Sequence, residues 1–99
     1  GVPFGTIIPD LIKITKPSAA ETWTRGTSHA ITWTSLSRVT RFEIQLRGSV
    51  VYTLVQNLNS RSFTWTLPQS ISTGTYRLRI LNAENPNEYI DGAFDVRIN

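Results

Sequence analysis

Apolar residues recur at every second position over seven short segments of this chain, and no window of twelve residues carries a helical stripe. Ile12 and Ile14 flank Lys13, Ile31 and Trp33 flank Thr32, and Phe42, Ile44 and Leu46 alternate with Glu43 and Gln45. Phe63, Trp65 and Leu67 alternate with Thr64 and Thr66; Tyr76, Leu78 and Ile80 with Arg77 and Arg79; Phe94, Val96 and Ile98 with Asp95 and Arg97. Successive side chains of a strand point to opposite faces, so each of these segments offers one face to a core and one to water. The segment Val50–Val55 is apolar on both faces, which leaves its register open. Turn-forming residues punctuate the segments at Pro17-Ser18, Arg25-Gly26, Gly48-Ser49, Asn57 to Ser60, Pro68 to Gly74 and Asn82 to Gly92. At most, Gln69 to Ser72 forms a single turn of helix. Seven alternating strands predict an all-β, seven-stranded antiparallel β-sandwich.

A chain of 99 residues has room for one such domain. The pattern places it at residues 11–99, with residues 1–10 as a linker or expression-boundary segment, since Pro3 and Pro9 interrupt that stretch. Apolar residues make up 39% of the chain and charged ones 17%, enough for an ordered core and too little charge for a disordered tail. No stretch approaches the length of a membrane span. With no cysteine there is no disulfide framework, no thiolate zinc site and no thiol nucleophile. The apolar start has no basic residue ahead of it and does not read as a signal peptide. The chain reads as one bead of a longer protein.

Three motifs go beyond strand counting. Ile31-x-Trp33 sets an aromatic on the core face of the second strand. Phe63-x-Trp65-x-Leu67-Pro68 ends the fifth, and Gly74-x-Tyr76-x-Leu78-x-Ile80 opens the sixth. A Tyr just after this corner suits the tyrosine-corner arrangement, in which the ring packs inward and the hydroxyl bonds backbone upstream. Together with Trp23-x-x-Gly26, these motifs resemble the Ser/Thr-rich GPI-anchored, yeast cell-wall-synthesis-type domain, which also occurs in bacterial and archaeal surface proteins. That domain is in turn similar to fibronectin type III and immunoglobulin-like sandwiches. The resemblance covers about residues 11–98. It implies an extracellular or cell-surface, wall-associated module with no catalytic residues. The sequence departs from the pattern by lacking a Ser/Thr-rich tail, an anchor signal and any Asn-x-Ser/Thr sequon, which favours a prokaryotic surface protein.

The candidates for chemistry are few. His29 is the only histidine, beside Ser28, and reads as a solvent-facing residue at a strand edge. One histidine without cysteine disfavours a transition-metal site, and no cofactor is expected. Asn82 to Gly92 gathers Asn82, Glu84, Asn85, Asn87, Glu88 and Asp91, oxygen ligands of the kind calcium takes, but without the order of a calcium loop; it reads as a solvated hairpin. Trp33 and Trp65 are in phase with core residues. Trp23, just before the Arg25-Gly26 turn, is less determined: it reads first as core or core edge, and it is also the candidate sugar contact, since an open indole face is what a carbohydrate-binding module presents.

The formal net charge is +3, and the outward positions of three strands expected to share a sheet hold Arg41, Arg47, Arg77, Arg79 and Arg97 against Glu43 and Asp95. These arginines are the candidate recognition surface, suited to an anionic polymer or an acidic neighbouring domain. They are equally what a solvated, cross-strand-paired face would carry. No aromatics interleave with them, which argues against nucleic acid. The sequence therefore points to a non-catalytic structural or adhesion module of a multidomain cell-surface or secreted protein, monomeric in isolation. Its expected partners are neighbouring domains and cell-wall or anionic polysaccharide. The alternative is a carbohydrate-binding module accessory to a secreted enzyme.

Overall fold

The computed structural model describes residues 11–99; the segment expected to be a linker, residues 1–10, lies outside the described residues. Nine strands follow one another: β1 (Ile12–Lys16), β2 (Glu21–Trp23), β3 (Ser28–Ser35), β4 (Phe42–Arg47), β5 (Val51–Leu58), β6 (Ser62–Thr66), β7 (Gly74–Asn82), β8 (Asn85–Asp91) and β9 (Val96–Ile98). No helix occurs among the described residues. One sheet runs β1-β3-β6; the other runs β2-β9-β7-β4-β5, with β8 paired to β7. The fold class is the expected all-β sandwich. Seven of the nine strands correspond to the seven alternating segments, and β2 and β8 are additional.

Both additions have a physical reason to be missed. β2 is three residues long and lies parallel to β9, with Glu21 opposite Val96 and Trp23 opposite Ile98. Three residues cannot display a period, and the parallel pairing corrects the expectation of a wholly antiparallel sandwich. β8 is polar, so it carries no apolar alternation. It turns the segment from Asn82 to Gly92 into a strand hairpin, with Arg79 opposite Asp91 and Leu81 opposite Tyr89.

β8 and β9 both pair with β7, in different registers. Ile80 faces Ile90 in the first and Tyr76 faces Val96 in the second, so two extra residues are accommodated between them. The Gly92 N–H still donates to the Leu78 carbonyl at 2.7 Å, and the chain then bulges through Ala93 and Phe94. Phe94, expected inward with Val96 and Ile98, is consequently exposed.

The core lies between the sheets. Ile12, Ile31 and Trp33 meet Phe42, Ile44, Leu46, Tyr76, Leu78, Ile80, Val96 and Ile98, all buried. The Trp33 and Phe42 rings cross edge to face with centroids 5.4 Å apart. The Val51–Leu58 strand owes its unreadable register to two slips against β4, beside which Asn57 takes a left-handed φ of 59°.

The predicted corner is present and doubled. The Tyr76 hydroxyl donates to the Ser72 carbonyl at 2.7 Å, and the Ser72 N–H donates to the Tyr52 hydroxyl oxygen at 3.1 Å. Two tyrosines thus hold both backbone groups of one loop residue. Hydrogen bonding by Ser72 draws the Tyr52 hydroxyl below its ordinary pKa, while burial pushes Tyr76 above its own. Gly48 passes so close that an added Cβ would lie 2.8 Å from the Thr75 carbonyl oxygen and from the Tyr76 ring.

Candidate functional site

The outward face of the larger sheet carries the arginines, and strand register decides which of them can act together. Along β7, Thr75 lies opposite Arg97 of β9, Arg77 opposite Arg47 of β4, and Arg79 opposite Gln45. Arg41 precedes β4, and its carbonyl accepts from the Ala83 N–H at 2.9 Å. Eight residues therefore separate the levels of Arg97 and Arg41, about 26 Å at the strand rise. The five arginines do not converge on one small site.

The central group is held by counter-charges. Arg77 donates to Asp95 at 2.7 Å, and Arg79 to Asp91 at 2.6 Å. The Arg79 guanidinium also stacks over the Tyr89 ring, 3.9 Å from its centroid. Arg47 donates to Gln45 at 2.6 Å, and Gln45 in turn donates to Glu43 at 2.6 Å. Asp91 sits well inside this positive field. The hydrogen bond from Arg79 holds its carboxyl below the usual carboxylate range, with Arg47 and Arg77 adding to the effect. Asp91 is absent from the charge expected of this face because the polar β8 carries no apolar alternation to mark it as a strand.

Arg97 differs from its neighbours. It is exposed and has no ion-pair or side-chain hydrogen-bond partner among the described residues. It lines an open depression of about 250 Å³ with Ala20, Glu21, Thr22, Thr75 and Asp95. Register places Thr22 and Thr75 on either side of it. The two nearby acids are engaged elsewhere: Trp23 Nε1 donates to Glu21 Oε1 at 2.8 Å, and Arg77 holds Asp95 Oδ1. Thr75 and Arg97 were readable as outward residues. Thr22 was not, because β2 leaves no sequence signal beyond one aromatic.

Trp23 is not an open platform. It is 0% exposed, with His29 stacked on it at 4.8 Å between centroids and Trp65 edge-on at 6.2 Å. The expectation that it contacts sugar is corrected on that ground: no indole face is left for a pyranose ring. Trp33 is buried as expected, and Trp65 is only half-buried at the β6 edge. His29, expected to face solvent, is half covered by its stack, and its Nε2 lies 2.9 Å from Thr27 Oγ1. Ser28 bonds Thr66 instead, at 2.7 Å, so the adjacent Ser and His do not pair.

The oxygens gathered between Asn82 and Gly92 are bound within the protein. Arg38 makes a two-pronged bond to Glu88, at 3.0 and 2.7 Å, and Asn82 donates to Glu88 at 2.9 Å. These bonds push the Glu88 carboxyl down to about 2. Asn82 Oδ1 accepts from the Glu84 N–H at 3.0 Å. Among the described residues no three His, Cys, Asp or Glu side chains group as metal ligands.

The Kre9/KNH-like N-terminal Ig-like domain family matches residues 16–91, most of the chain. No curated protein and no solved structure matches the chain. The chain belongs to the Kre9/KNH-like Ig-like domain family, in line with the resemblance carried by its Trp33, Leu67-Pro68 and Tyr76 motifs.

Proposed function

We propose that this Kre9/KNH-like Ig-like domain is a non-catalytic structural or adhesion module of a cell-surface or secreted protein, one bead of a multidomain chain associated with the cell wall. The observation that supports it most is where the reactive side chains are. His29 stacks on Trp23, Glu88 and Asp91 clamp the β7–β8 hairpin, and Asp95 ties β9 to β7 through Arg77. Groups that would serve as acid, base or nucleophile in an enzyme hold strands together here. On the outward face of the larger sheet, Thr22, Thr75, Arg77 and Arg97 stay exposed to a partner.

The purified domain is expected to sediment with insoluble cell-wall polysaccharide and to release no soluble sugar on prolonged incubation. Release of reducing sugar that survives repurification would overturn the reading, as would a failure to be retained by wall material in dilute buffer. The alternative of an accessory carbohydrate-binding module no longer has Trp23 to rest on. It would have to use the polar depression beside Arg97.

A further inference from the structure

We propose that the depression around Arg97 binds one acidic sugar residue, a uronate, with its carboxylate on the Arg97 guanidinium. The module reading contributes only the source of the ligand, a wall polysaccharide; the class of ligand comes from the pocket. Its volume of about 250 Å³ lies below the range of drug-sized pockets and suits a single ring.

The donors and acceptors define the chemistry. Arg97 is a cation without an internal counter-charge among the described residues, flanked by the Thr22 and Thr75 side chains. A guanidinium presents a planar fork of N–H donors that matches a carboxylate. Asp95, two residues before Arg97 on the same face, stands at the rim with Oδ1 held by Arg77 and Oδ2 without a partner among the described residues. That free oxygen can only accept, so it calls for a hydroxyl donor on the ligand. The threonine hydroxyls either donate or accept. One positive centre beside two hydroxyls and one free carboxylate oxygen fits a polyhydroxylated monoanion. A phosphate dianion offers a single hydroxyl donor, and its second negative charge is repelled by Asp95. A neutral sugar leaves Arg97 unanswered.

The floor is rigid. Trp23, Val96 and Ile98, on the strands that carry the depression, are at most 1% exposed. A site on packed strands loses little freedom on binding. Its openness still limits a single module to weak, salt-sensitive binding.

The test is a ¹⁵N-resolved NMR titration at low salt with trigalacturonate, a neutral gluco-oligosaccharide of the same length, and inorganic phosphate. The backbone amides of the three paired positions Thr22, Arg97 and Thr75 report occupancy. Trigalacturonate is expected to shift them saturably in the millimolar range. Arg97→Gln should weaken it at least about tenfold, the loss of a charge-assisted pair. Arg41→Gln removes the same charge about 26 Å away by strand rise. It should change affinity by less than about twofold, since that distance exceeds the screening length. Equal weakening by the two variants would reduce the effect to net charge and overturn the proposal. Phosphate matching the uronate, the neutral sugar matching it, or no saturable shift would also overturn it. None of these outcomes bears on wall retention without sugar release, which tests the module reading separately.

Discussion

β8 and β9 follow one another along one edge of β7, and they are held by different forces. β9 places Val96 and Ile98 in the core at 0% and 1% exposure, and β2 covers its outer side. β8 buries none of its residues fully, and its outer side borders a groove of about 340 Å³ lined in part by Ile12, Ile14 and Ile90. What fixes β8 is polar: Arg79 to Asp91, and Arg38 and Asn82 to Glu88. Exposed ion pairs contribute up to about 1 kcal/mol each, less than one buried aliphatic side chain. The half of the edge that carries Arg97 is therefore the stable half, and the hairpin above it is the half that opens first.

The sharpest way to break this contrast is at the centre of the stable half. Trp23→Ala is expected to cost about 3–5 kcal/mol, because it empties a fully buried site beneath β9. Urea denaturation measures it, and a loss below about 1 kcal/mol would show that the indole is not packed as described. A matched pair sharpens the comparison along the edge itself. Ile98→Ala on β9 should cost about 2–5 kcal/mol. Ile90→Ala on β8, where the side chain is 38% exposed, should cost less than about 1 kcal/mol. Similar losses at the two positions would erase the distinction. A smaller effect belongs to the corner that anchors the start of β7. Tyr76→Phe should cost about 1–2 kcal/mol, leaving the Ser72 carbonyl without its donor while the ring stays packed.

The contrast also explains what the sequence could and could not tell. The alternation around Ile31, Ile44, Leu78 and Val96 is the signature of burial on one face, so strands held by apolar packing announced themselves. β8 is held by side chains whose partners lie far along the chain, such as Arg38 fifty positions from Glu88, and no local pattern encodes that. Trp23 was ambiguous for a related reason. In a three-residue strand, one aromatic reads as core or core edge with a platform left open beside it, and the parallel pairing with β9 places it inside. Phe94 obeyed the alternation on paper and fails it in the fold, because a two-residue bulge intervenes. The outward direction of Arg47, Arg77, Arg79 and Arg97 was legible from parity. Their division into a paired cluster and a solitary Arg97 was not, because Asp91 arrives from a strand that carries no alternation.

Amide hydrogen exchange through an acid titration tests the central contrast most directly. Glu88 ionises at about 2 in the folded protein, against an ordinary value of 4.5. A carboxyl with a depressed folded pKa stabilises fully above its unfolded value, and that contribution is lost as pH falls through the interval towards the folded one. Asp91 is depressed in the same direction by Arg79. Between pH 4.5 and about 2, the hydrogen-bonded β8 amides should lose protection while those of β9 and of Gly74 to Leu78 keep theirs. Equal and simultaneous loss across β8 and β9 would contradict the account, because it would mean that the edge opens as one cooperative unit with no separately held half.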